Sequence, residues 1–123
     1  MPDKRSPISP NLRLQLKHGV AIGPGKAALL EAIAQVGSIS AAGRSMGMSY
    51  KRAWLLVSSM NTHFRQPLVA SAKGGNQRGG AVLTPLGVEV LQRYRRMERK
   101  ALKGIANEIA GFEALLKRNK RGP

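Results

Sequence analysis

The chain has 123 residues, one domain's worth, and carries 21 Lys and Arg against 6 acidic residues, a formal net charge of +15. That surplus points to a polyanionic partner, because each neutralised phosphate releases condensed counterions. With 42% apolar residues the chain is too hydrophobic to be a disordered basic tail, and the absence of cysteine excludes disulfides and thiolate metal sites.

No run approaches the roughly 18 apolar residues of a membrane span. The opening MPDKRSPISP lacks the apolar core of a signal peptide, so a cytoplasmic, nucleoid-associated protein is expected. Residues 1–10, with three prolines, are predicted to be a flexible basic arm. Leu12, Leu14 and Leu16 then alternate with Arg13, Gln15 and Lys17, the period of a half-buried strand. From His18 to Gly25, three glycines and a proline break the chain. GVAIGPGKA there resembles a phosphate-binding loop only faintly. Gly19 stands one residue too far from Gly25-Lys26, and Ala27 replaces the hydroxyl that would hold magnesium, so the segment is a turn.

Lys26 to Val36 is predicted helical, with Leu29, Leu30, Ile33 and Val36 on one side and Gly37 as the stop. Ser38 to Phe64 then has the spacing of two short helices meeting at a tight turn. Ser38 or Ser40 caps the first of them. Ala42 and Gly43 are small enough for a close crossing, and Gly47 ends the first helix with a positive φ. Met48 is the apolar turn residue and Ser49 caps the second helix. Ala53, Leu56 or Val57, Met60 and Phe64 then mark one buried face. Tyr50, Lys51 and Arg52 follow Ser49 in the first turn, the part of a recognition helix that meets base edges and phosphates. An ordinary helical hairpin shares the small residues and the glycine turn. What favours a helix-turn-helix is that small pair, glycine, apolar turn and cap fall in one register.

After Pro67, Leu68-Val69-Ala70 and Ala81-Val82-Leu83 are short strand candidates flanking the glycine-rich KGGNQRGG. Placed straight after a recognition helix, this hairpin is a wing. Its tip, Lys73, Gly74, Gly75, Asn76, Gln77 and Arg78, combines charge with the close backbone approach that glycine permits. Thr84-Pro85 opens the last element as N-cap and first helical residue. No proline interrupts the chain from there to about residue 117, room for about 48 Å of helix. Leu91, Tyr94, Met97, Ala101, Ile105, Ile109, Phe112 and Leu116 form an apolar stripe too long for one small domain to cover. A second copy of the chain is the expected partner, making residues 84–117 a dimerisation helix and 118–123 a frayed tail. The opposite face, with Arg93, Arg95, Arg96, Arg99, Lys100 and Lys103, is strongly basic.

Nothing in the sequence suggests catalysis. His18 and His63 are far apart with no acidic cluster nearby, no carboxylate pair or Ser-His-Asp spacing occurs, and no metal or cofactor is expected. A non-specific nucleoid- or RNA-associated basic protein is the alternative, but RNA-reading modules display aromatic platforms and only 4% of residues here are aromatic. A membrane-surface protein would need its apolar helix face exposed in a monomer, and no membrane partner is expected.

GSISAAGRSMGMSYKRAW followed by KGGNQRGGAVLTPLGVEVL resembles the N-terminal DNA-binding domain of the ModE-type molybdate-responsive regulators, itself akin to the LysR-type winged helix. The resemblance runs from about Leu12 to past Leu102. It implies a mainly α fold: a winged helix-turn-helix over residues 11–83 with a small antiparallel sheet, in which Leu12 to Lys17 lies beside the wing hairpin, and a long C-terminal dimer helix. By position, Ser49, Tyr50, Lys51, Arg52 and Trp54 become the recognition-helix set, and Ser38, Ser40 and the wing tip from Lys73 to Arg78 complete the DNA-facing residues. Trp54 also fits as a half-buried anchor against the first helix. Double-stranded DNA is the implied partner, bound as a homodimer. The family's oxyanion-sensing domains follow the long helix, and this sequence ends at Pro123. DNA binding without molybdate control is therefore expected, with regulation through concentration or a separate effector-binding protein.

Overall fold

Of the alternating leucines only Leu14 lies in a strand, which is shorter than the Leu12 to Lys17 expected, and the segment after it turns the chain straight back. In the computed structural model, which describes residues 10–72 and 80–118, β1 (Leu14–Gln15) pairs antiparallel with β2 (Ala21–Ile22), Leu14 opposite Ile22. A single 3-10 turn (Lys17–Gly19) joins them, with His18 and Gly19 at φ of 61° and 76°. That left-handed pair reverses the chain within a few residues, and so local a closure costs little entropy. β1 therefore does not lie beside the wing. Two separate two-stranded sheets replace the single sheet that the family resemblance implied.

α1 (Pro24–Val36) begins two residues before the predicted start, with Pro at its first position, and ends at Gly37, whose φ is 78°. Leu29, Leu30 and Ile33 are fully buried, whereas Val36 is exposed at the last turn. α2 (Ile39–Ser45) is capped by Ser38, whose Oγ accepts from Ala41 N–H at 3.0 Å. Gly47, at φ 73°, makes the turn into α3 (Tyr50–His63). Ser49 Oγ accepts from Arg52 N–H at 3.1 Å and caps α3 as expected. Gly43 is where α2 and α3 cross: a methyl group there would come within 2.9 Å of Ala53 Cβ. Ala42, Ala53, Val57 and Met60 close the core over α1.

The hairpin of β3 (Val69–Ser71) and β4 (Ala81–Leu83) pairs Val69 with Leu83 and Ser71 with Ala81, and Ala72 N–H donates to Gly80 O to extend it by a step. It is anchored at both edges. Ala81 N–H donates to Gly37 O and Ser38 bridges Gly80, which ties β4 to the α1–α2 junction.

α4 (Pro85–Glu113) starts from the Thr84 cap, as the sequence predicts, and ends about a turn short of residue 117. Its first half packs on the domain. Tyr94, expected on the stripe facing a second chain, is instead buried in its own protomer with Ile22 and Ala27, and its hydroxyl donates to Leu12 O. Leu91 is likewise half-buried against both core clusters. The reason is the β1–β2 hairpin, which folds back onto α4 and covers that length of the stripe. Arg95 fixes the helix laterally, donating through Nη2 to Glu31 Oε1 of α1 at 2.6 Å and through Nη1 to Glu98 at 2.9 Å. Burial works against the Arg95 cation, but the hydrogen bonds of Glu98 and Glu31 outweigh it and hold its pKa above the usual value.

Candidate nucleic-acid interface

The N-terminal turn of α3 carries Tyr50, Lys51 and Arg52, all exposed, with Tyr50 retaining 58% of its accessible surface. Lys51 and Arg52 have no ion pair among the described residues, and with Ser49, Leu55 and Leu56 they line a shallow concavity of about 250 Å3. The turn before α3 is held rigid from below: Met46 and Met48 N–H both donate to Gly43 O, and Gly47 N–H donates to Arg44 O. The helix start is thus fixed by backbone bonds, which leaves its side chains free for a ligand.

Of the serines expected to face DNA, Ser38 and Ser49 spend their hydroxyls as helix-cap acceptors. Ser40 Oγ accepts from Arg44 Nη1 at 3.0 Å, which orients an exposed cation on α2 that the sequence reading did not single out. Trp54 is 47% exposed. It lines a groove of about 310 Å3 with Ser58, Asn61 and Thr62 of α3 and with Ala70 and Ser71 of β3. The indole is therefore at the junction of recognition helix and wing, half open to whatever enters. Lys73, Gly74, Gly75, Asn76, Gln77 and Arg78 lie outside the described residues, as do residues 1–9 of the N-terminal arm and 119–123 of the tail.

Asn61 was missed by sequence reasoning. Its Oδ1 accepts from Leu68 N–H at 2.8 Å and from Val69 N–H at 3.1 Å, and its Nδ2 donates to Val69 O at 3.0 Å. One side chain thus satisfies the start of the wing from the recognition helix. The only local signal is an amide in the last turn of a helix before a proline-containing loop, and that does not name the partner. Thr84 completes the linkage: its Oγ1 donates to Pro67 O at 2.7 Å while accepting from Gly87 N–H at 3.0 Å.

Beyond Met97, α4 leaves the domain. Ala101 and Ile109 are half-buried, while Met97, Ile105, Phe112 and Leu116 are exposed, Phe112 at 75%. No helix among the described residues is long and apolar enough to cross a membrane.

Comparison with known proteins agrees with this geometry. The profile of the bacterial regulatory helix-turn-helix proteins, lysR family, matches residues 26–96. The chain is 44% identical over 98 residues to the molybdenum-pterin-binding protein MopB of Rhodobacter capsulatus, covering 80% of this chain and 35% of that protein. It is 38% identical over 97 residues to the molybdenum transport protein ModE of Herbaspirillum seropedicae, covering 74% of this chain and 36% of the relative. Against the DNA-binding transcriptional dual regulator ModE of Escherichia coli K12 it is 36% identical over 102 residues, covering 80% of this chain and 39% of the relative. The chain thus spans well under half the length of these curated relatives. With the turn, the caps and the wing hairpin all in the matched segment, the chain belongs to the lysR family of bacterial regulatory helix-turn-helix proteins.

Proposed function

We propose that the chain is a sequence-specific, double-stranded DNA-binding transcriptional regulator of the molybdate-related type, acting as a homodimer. The observation that carries the DNA reading is the capped start of α3, where Tyr50, Lys51 and Arg52 are exposed and the two cations have no ion pair among the described residues. A helix presented this way fits a major groove about 12 Å wide, with the wing beside it on the backbone. The net charge of +15 supplies the non-specific attraction. The names of the relatives, a molybdenum-pterin-binding protein and a molybdenum transport protein, suggest the regulatory context.

Two measurements test this. Fluorescence anisotropy with operator and random duplexes should show the double variant Lys51→Ala/Arg52→Ala losing preference for the operator, and undiminished specific binding would remove the recognition-helix assignment. The homodimer rests on the exposed Ile105 and Phe112 in the second half of α4 and Leu116 just past its end, which a second copy would cover. Light scattering at tens of micromolar should report a dimer that Ile105→Asp splits, and an operator with half-sites about one helical turn or a multiple apart should follow.

A further inference from the structure

The glycine-rich segment that fails as a nucleotide loop is placed where it meets cations from two other elements. Arg13 just before β1, Lys26 in the first turn of α1 and Arg52 in the first turn of α3 line one concavity of about 220 Å3, together with Gly23 and Gly25. Lys26 is held there by its Nζ, which donates to Ala21 O at 2.9 Å, so its position is fixed while further N–H donors stay free. The Arg13 and Arg52 guanidinium groups have no hydrogen-bond or ion-pair partner among the described residues. No carboxylate lines the concavity either: Glu31 and Glu98 are committed to Arg95, and Glu89 to Arg93.

Like charges that line one concavity repel, and in a concave site that repulsion is screened less than on open surface. The arrangement becomes favourable when an anion enters. A tetrahedral oxyanion suits it, because two guanidinium groups and an ammonium on one concavity offer donors to several oxygens. Arg52 and Leu56 also line the neighbouring concavity at the tip of α3. An anion here would therefore be continuous with whatever the recognition helix binds.

We infer that this concavity seats one phosphate of the DNA backbone, adjacent to the recognition-helix contact, with Arg13 and Lys26 as phosphate ligands beside Arg52. The inference rests on the DNA-binding reading above. It gives the β1–β2 hairpin a role in register, since phosphate contacts position a protein on the duplex without reading its bases.

The test uses the full chain and its operator duplex. Arg13→Gln should weaken operator and random DNA alike, by about tenfold, and lower the slope of log affinity against log salt by about 1. Arg13→Lys should keep most of the affinity. Thermal unfolding of Arg13→Gln should match the unsubstituted protein, since Arg13 is exposed and makes no bond that the fold needs. A scan that replaces each phosphate in turn by neutral methylphosphonate should find one position at which Arg13→Gln costs nothing more. Equal affinity and slope for Arg13→Gln, or a loss that is the same at every methylphosphonate position, overturns the seat and leaves the DNA reading standing. Saturable binding of inorganic phosphate that Arg13→Gln abolishes, without methylphosphonate coupling, would make the concavity a free-oxyanion site and overturn its assignment to DNA. An unsubstituted protein that binds no duplex at all overturns both readings.

Discussion

Asn61 and Val69 exchange two hydrogen bonds, Asn61 Nδ2 donating to the Val69 carbonyl at 3.0 Å and Val69 N–H donating to Asn61 Oδ1 at 3.1 Å. The recognition helix and the first wing strand are therefore one mechanical unit, joined by an amide that mimics a missing strand. Leu68 and Val69 are buried, so their backbone groups have no water to turn to if the amide is removed. Asn61→Ala should cost about 1–3 kcal/mol in denaturant unfolding. DNA affinity should fall as well, because the wing is no longer held to α3. Unchanged stability would mean that these groups find other partners.

A second anchor is steric. A methyl group on Gly87 would overlap the Leu68 carbonyl oxygen and come within 3.0 Å of its carbon. Backbone cannot rotate aside as a flexible side chain would. Gly87→Ala should therefore destabilise by about 1–3 kcal/mol or more, despite the better helix propensity of alanine. Chemical denaturation measures it, and a stabilised variant would contradict the packing of α4 against the wing base.

Tyr94 has its pKa raised, first by burial and then by Glu98, with Arg95 opposing. A raised value in the folded state means a contribution that is complete below the unfolded tyrosine pKa, about 10. That contribution is lost as pH climbs through the higher folded value. Stability of the unsubstituted protein should thus fall above about pH 10, and Tyr94→Phe should show a smaller fall. At neutral pH the same substitution should cost about 0.5–1.5 kcal/mol, since Leu12 O loses its donor.

Salt should act strongly on the DNA complex. With about six to ten phosphate contacts, affinity should drop by roughly 10³–10⁵ between 50 and 200 mM salt. Lys51→Ala separates two roles for that residue: loss confined to the operator means base contact, and equal loss on random DNA means phosphate contact. A salt-insensitive complex would be incompatible with recognition driven by these cations.

The sequence by itself determined the elements that depend on near neighbours. Ser38, Ser49 and Thr84 cap their helices because an N-cap needs only a hydroxyl three residues from a free N–H. Gly37 and Gly47 end helices because positive φ is a property of one residue. The strand–glycine–strand pattern made the wing legible for the same reason. Tertiary structure alone decided which surfaces meet. The stripe on α4 has one periodicity along its length, yet Tyr94 faces the hairpin of its own chain while Ile105 and Phe112 face solvent. Periodicity reports that a face is apolar and cannot say what covers it. Likewise β1 pairs with β2 and not with the wing, a choice made by the left-handed turn at His18 and Gly19 and sealed by the Tyr94 hydroxyl on Leu12. The convergence of Arg13, Lys26 and Arg52 joins residues far apart in the chain. Only the packing of the β1–β2 hairpin, α1 and α3 on one another brings them to one concavity.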